Sequence, residues 1–269
     1  MAQFEAEMNF SGPIDGRASV YVPDFSRSNM ALEPHRLTFH DARPLRGELS
    51  LDRQGFALFD HRGPSEDPAW LADNEAAYTD SVAWLLRQIT GASLVMAQGK
   101  GMLVRHAESA RKADAAGPSR WVHADYTRHY GEVWRDWMEA WHGLDLKRYP
   151  RFCIYQTWRC LTPPPCDNTL VFCDASTMDP ASLIVFDAVV REPRDEPGNM
   201  FESQFSRWDP GQRWHYFSDL APDELIVFKG HDSDCYRDAQ PLHNSIDLPP
   251  LAGAAPRASV EARFFAFFE

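Results

Sequence analysis

The second half of the chain is a succession of short apolar runs, each closed by Pro, Asp or Gly. Residues 152–158, 169–173, 182–190, 214–217, 224–228 and 259–268 are rich in Val, Ile, Phe, Trp and Thr, the side chains that suit a pleated surface. Repeated strand-length runs between turn signals restrict this half to a sandwich or barrel. Pro163-Pro-Pro165 reads as a loop within it, and the Pro/Ala-rich tract 249–256 reads as a bridge between two strands.

The first half is mixed. Residues 18–22 and 55–59 read as short strands that pair as a meander, and 93–97 and 101–105 read as two strands around the turn Gly99-Lys100-Gly101. Between 67 and 88, Tyr78, Val82, Leu85, Leu86 and Ile89 recur at helical spacing, and Gly91 ends that helix. A second helix is expected over 128–146, where Tyr130, Val133, Trp134, Trp137, Met138 and Trp141 share a stripe. The expected class is mainly β with a helical layer (α+β). We expect one domain over 1–269, with N-terminal strands and helix (about 1–120) packed on a C-terminal core (about 121–269).

A 44% hydrophobic fraction, 13% aromatics and nine Trp supply a core and large apolar surfaces for a ligand. The formal charge of −12 and the lack of a basic block argue against a nucleic-acid partner. The start Met1-Ala-Gln-Phe-Glu-Ala-Glu-Met8 does not resemble a secretory signal, and no apolar stretch approaches a membrane span. Five cysteines without a Cys-x-x-Cys pair fit free thiols. The expectation is a cytoplasmic protein that binds no membrane.

His123-Ala-Asp125, the later His243 and then Arg257-Ala-Ser259 are the residues that suggest chemistry. In extended chain, His123 and Asp125 face the same way. Two imidazoles and one carboxylate on one face of a ferrous ion leave positions open for a co-substrate and oxygen. Arg257 and Ser259 share a strand face, and a planar guanidinium with a nearby hydroxyl suits a carboxylate. Each residue has an ordinary alternative. Asp125 before a helix is also a common N-cap, His215 and His231 are rival third ligands, and Arg263 is a rival clamp. Arg159 and Tyr155 fall in a core strand, where an ion pair is the expected role for the arginine. Asp174 reads as a turn residue, and Trp134, Trp137, Trp141, Trp208 and Trp214 read as core.

Several motifs together resemble the CmcJ/NvfI and AsaB-like family of iron(II)/2-oxoglutarate-dependent hydroxylases and desaturases. They are Gly55-Phe-Ala-Leu-Phe-Asp-His61, Val122-His-Ala-Asp-Tyr-Thr127, Thr157-Trp-Arg159 with Cys173-Asp-Ala175, Trp214-His-Tyr-Phe217, Asp223-Glu-Leu-Ile-Val-Phe-Lys229 with Asp232-Ser233, Leu242-His243, and Pro256-Arg-Ala-Ser-Val-Glu-Ala-Arg263. The family usually has Asn before the Trp-Arg pair and His-Thr at the distal ligand, where this chain has Thr157 and His243-Asn244.

The resemblance implies a double-stranded β-helix (jelly roll) with Fe(II) at His123, Asp125 and His243. It places 2-oxoglutarate on Arg257 and Ser259, with O2 as the oxidant and a small molecule as the substrate. Related halogenases lack the carboxylate, so Asp125 implies hydroxylation or desaturation. Two other readings stay open at this point. One is a cupin-like dioxygenase that uses the same triad without 2-oxoglutarate, and the other is a jelly-roll module that binds a metabolite without catalysis.

Overall fold

The computed structural model describes residues 2–22, 24–99, 102–106, 118–194, 196 and 198–269. Two sheets face each other as a jelly roll. The larger runs in the order β1 (Gln3–Ser11), β3 (Leu32–Asp41), β12 (Trp214–Tyr216), β9 (Asn168–Cys173), β14 (His243–Asp247), β7 (His123–Ala124), β11 (Met200–Ser206), β10 (Leu183–Val189), β2 (Ala18–Tyr21). The smaller runs β4 (Phe56–Asp60), β13 (Glu224–Asp232), β8 (Arg151–Cys160), β15 (Ala258–Phe268), β5 (Leu94–Ala97), with β6 (Leu103–His106) also on β15.

Two helices cover the outside of the smaller sheet, whereas a third packs on the far end of its inner face. Asp67 caps α1 (Pro68–Asp73) by accepting from the Ala69 N–H, and Asn74 leaves helical geometry before α2 (Glu75–Thr90) begins. The single helix expected over 67–88 is therefore two. Gly91, left-handed at φ 72°, ends α2. The α2 stripe of Tyr78, Val82, Leu85 and Leu86 packs on Val260, Ala262 and Phe264 of β15. α3 (Arg128–His142) starts at Thr127, whose hydroxyl accepts from the Tyr130 N–H. Its Met138 reaches Phe152, Ile154 and Phe265 at the far end of the same sheet.

Two expected pairings are not made. Residues 18–22 and 55–59 do not form a meander: β2 pairs in parallel with β10, and β4 pairs with β13 in the other sheet. β5 and β6 do not pair with each other either. They lie end to end along one edge of β15, on Phe264–Phe267 and Ala258–Glu261, because β15 is long enough to serve both. Lys100 and Gly101 of the expected turn lie outside the described residues. β1, β3, β11 and β14 were not anticipated as strands. β14 is buried throughout its polar His243-Asn-Ser run and so has no apolar signature. No helix among the described residues is long and apolar enough to cross a membrane.

Between the sheets, Phe56, Leu58, Trp158, Phe172, Ile226 and Phe228 fill one part of the interior. The rest of the interior is polar, and the chemistry lies there.

Candidate metal centre

β7 has two residues and holds the site together. His123 pairs with Phe205 of β11 on one side and with His243 of β14 on the other. The two imidazoles therefore meet across a ladder, with ring centroids 4.4 Å apart. Alternation sends Ala124 to the outer core and returns Asp125 to the cavity. Asp125 Oδ1 lies 3.6 Å from His123 Nε2. Ligand atoms of His123, Asp125 and His243 all fall within 4.8 Å of one another, and no other such group of His, Cys, Asp or Glu occurs among the described residues.

Backbone carbonyls set both tautomers. His123 Nδ1 donates to the Trp121 carbonyl at 2.9 Å, and His243 Nδ1 donates to the Pro241 carbonyl at 3.3 Å. A carbonyl can only accept, so Nδ1 carries the proton in each ring and Nε2 keeps a free lone pair for a metal. Burial, with His123 alongside, lowers the His243 pKa to about 4, so that ring is neutral at neutral pH. Burial pushes the Asp125 carboxyl up, but the Arg263 guanidinium, by its charge and its hydrogen bond, outweighs it and holds the group well below the usual carboxylate range.

β15 forms the facing wall. Ser259, Glu261 and Arg263 stand opposite Cys160, Trp158 and Gln156 of β8. Arg263 Nη2 donates to Asp125 Oδ2 at 2.8 Å, and Glu261 takes Arg105 at 3.1 Å. Just before the strand, Arg257 is 2% exposed, donates from Nη1 to Ser259 Oγ and lies over the Trp158 ring. Its Nε and Nη2 have no acceptor. Arg257 lines a cavity together with His123, Asp125, His243 and Arg263. Unpaired guanidinium donors in a buried site are expensive unless a ligand accepts from them.

Residues 8–267 match the family model described as an oxidoreductase/YMDC permease-like domain. The Fe(II)/2-oxoglutarate-dependent dioxygenase nvfI of Aspergillus novofumigatus is 30% identical over 98% of this chain and 96% of that protein. The chain belongs to the Fe(II)/2-oxoglutarate-dependent oxygenase family. A solved structure of the iron and alpha-ketoglutarate-dependent endoperoxidase NvfI superposes on this oxygenase with a TM-score of 0.84, at 28% identity over 99% of this chain and 98% of that one. The hydroxylase/desaturase CTB9 of Cercospora beticola is 26% identical over 88% of this chain and 78% of its own. The oxygenase therefore works with Fe(II), 2-oxoglutarate and O2 on a small molecule.

Within the oxygenase, the rival histidines lie elsewhere. His231 is buried against the Phe152 ring, 3.7 Å from Glu132, and His215 lies beside His40 and Phe56. Arg263 is engaged by Asp125, which leaves Arg257 as the arginine with unpaired donors in the cavity. Asp174 caps a short 3-10 turn by accepting from the Ser176 N–H.

Other expectations need correction. No carboxylate pairs with Arg159 among the described residues: it donates to the Pro222 carbonyl, contacts His61 Nδ1 and sits over the Tyr78 ring, away from the cavity. Its strand position alternates with Trp158, so it faces the helices. Trp141 and Trp208 are exposed at 54% and 42% rather than in the core. Sequence reasoning missed Arg105, Glu261 and Trp158 as cavity residues, although Glu261 has the same parity as Arg257, Ser259 and Arg263.

Proposed function

We propose that His123, Asp125 and His243 hold Fe(II), and that Arg257 with Ser259 grips the far carboxylate of 2-oxoglutarate. The chain 1–269 then acts as one oxygenase unit that hydroxylates or desaturates a small molecule. The observation that carries this is the buried Arg257, whose Nε and Nη2 have no acceptor, in the same cavity as the three converging ligands.

Bound Fe(II), with 2-oxoglutarate and O2, supplies an oxidation of a C–H bond coupled to loss of CO2 from the co-substrate. The protein contributes geometry. The Trp121 and Pro241 carbonyls orient the two imidazoles, and Arg263 restrains Asp125. Arg257 offers charge-assisted bonds that fix which way the co-substrate lies, and Phe228 and Trp158 give the cavity apolar walls. A reducing, cytoplasmic setting is part of the proposal, supported by five cysteines without a Cys-x-x-Cys pair.

The test is anaerobic addition of Fe(II) and then 2-oxoglutarate, watching for the weak visible charge-transfer band of the chelate. Wild type develops the band, and His123→Ala does not. Arg257→Ala needs roughly 10–100-fold more 2-oxoglutarate, equivalent to about 1.5–3 kcal/mol for a charge-assisted bond. A band of unchanged midpoint in Arg257→Ala removes the clamp, and no band in iron-replete wild type removes the site.

A further inference from the structure

A second cavity meets the first at Asp125 and Arg263, which line both. Its walls come from elements that contribute little to the metal centre. They include Met102 and Leu103 at the start of β6, Trp134 of α3 and Phe201 of β11, with Gln98 and Tyr126 adding polar groups. The Trp134 and Phe201 rings stand 6.3 Å apart, centroid to centroid.

Two features of this lining restrict what it can hold. First, its charged side chains among the described residues are Asp125 and Arg263, and they bond each other. Glu261, 3.6 Å from Arg263, is itself bonded by Arg105. A carboxylate or ammonium entering here would lose water and meet only charges that are already matched. Second, the Tyr126 hydroxyl donates to Gln98 Oε1 at 3.1 Å, which fixes the amide and leaves Gln98 Nε2 to donate. The Trp134 indole N–H is also buried without an acceptor. Such a chamber suits rings and hydrocarbon with an oxygen acceptor.

We infer, building on the iron and co-substrate assignment proposed above, that this chamber is the substrate site and takes an uncharged, ring-bearing, largely apolar molecule with a carbonyl or hydroxyl oxygen. Trp134 and Phe201 hold its rings, and Gln98 donates to its oxygen. The wall shared at Asp125 and Arg263 brings the held molecule up to the metal centre. Charge is selected against rather than recognised.

The probe is 9-fluorenone, a neutral fused-ring ketone, with fluorenone-4-carboxylate as its charged counterpart. Each is titrated into protein loaded with Mn(II) and 2-oxoglutarate while proton relaxation of the probe is followed. Fluorenone protons gain saturable, Mn(II)-dependent relaxation, and the carboxylate binds at least ~10-fold more weakly. Trp134→Ala and Gln98→Ala each weaken fluorenone by ~10-fold, the size of an aromatic contact or a hydrogen bond. Leu103→Trp, which fills the chamber without removing a wall, abolishes binding and serves where Trp134→Ala does not fold.

Equal or tighter binding of the carboxylate overturns the inference, as does fluorenone that binds Leu103→Trp like wild type or gains no relaxation from bound Mn(II). Mn(II) affinity, read separately by electron paramagnetic resonance, keeps the two levels apart. If His123→Ala binds Mn(II) as wild type does, the metal assignment fails. Saturation transfer from metal-free protein to fluorenone in the same variants then decides the chamber alone.

Discussion

Arg263 Nη2 lies 2.8 Å from Asp125 Oδ2, while the other oxygen, Oδ1, faces His123 Nε2 at 3.6 Å. One oxygen of the carboxylate is thus occupied by the protein, and one is left toward the two imidazoles. Arg263→Met leaves Asp125 and Glu261 short of a counter-charge, and the metal-free variant loses about 3–5 kcal/mol of stability. A bound divalent cation replaces part of the missing charge at Asp125. Saturating Mn(II) therefore raises the melting temperature more in Arg263→Met than in wild type. Equal rises in a thermal-shift assay would mean that the arginine and the metal do not share the carboxylate.

A second charge cluster lies on β13. Lys229 is 1% exposed, and its Nζ donates to Asp232 at 2.8 Å, Asp52 at 2.5 Å and the Arg237 carbonyl at 2.6 Å. Arg151 grips the same Asp232 with two bonds, at 3.0 and 2.6 Å. Lys229→Met strands part of this buried charge and costs about 3–5 kcal/mol in urea unfolding. Adding Asp232→Leu to Lys229→Met costs less than the sum of the two single changes, because the partners are coupled.

Gly131 occurs inside α3, where alanine is the better helix former by about 1 kcal/mol. A Cβ there would lie 2.3 Å from the His231 ring. Gly131→Ala accordingly loses about 1–3 kcal/mol, and a second change, His231→Ala, recovers part of it by making room. A stabilised Gly131→Ala in denaturant titration would show that α3 does not approach β13 this closely.

His61 is 8% exposed and held between two groups: its Nε2 donates to the Ser81 carbonyl, and its Nδ1 meets Arg159. Burial and the Arg159 charge lower its pKa from 6.5 to about 4. Between those values the unfolded chain holds a proton at His61 that the folded chain does not, so stability falls as pH drops through that window and is fully present above it. The loss is about 1–2 kcal/mol after allowance for solvent near the ring. In His61→Gln the difference in urea midpoint between pH 7.5 and pH 5 shrinks by that amount, whereas an unchanged difference would place the acid sensitivity elsewhere.

The sequence gives a clear outline of the larger sheet-forming runs because their hydrophobic signal is local. Runs 169–173, 182–190 and 224–228 correspond to β9, β10 and β13 within a few residues. Pairing was less legible. Nothing near Ala18 indicates that it lies beside Phe186, and register across such a separation depends on the assembled core. At the site, the short spacings were legible: Arg257 lines a cavity with His123, Asp125 and His243, and Ser259 accepts a hydrogen bond from Arg257. Arg159 misled because its burial suggested a carboxylate partner, and a backbone carbonyl and a histidine meet it instead. Trp134, read as core, does pack against the Met138 and Phe152 cluster and also lines the second cavity, because helical spacing cannot separate a packed face from a cavity wall.

Along β15, alternate residues do unrelated work. Glu261 and Arg263 line the cavity, while Val260 and Phe264 lie under α2. One inserted residue upstream would exchange the faces together, putting hydrocarbon beside His123 and Asp125 and charge into the oil beneath the helix. Descendants of this chain are left free to vary the walls lent by α3, β6 and β11, so a lineage can exchange one substrate for another while its oxidising equipment stands still.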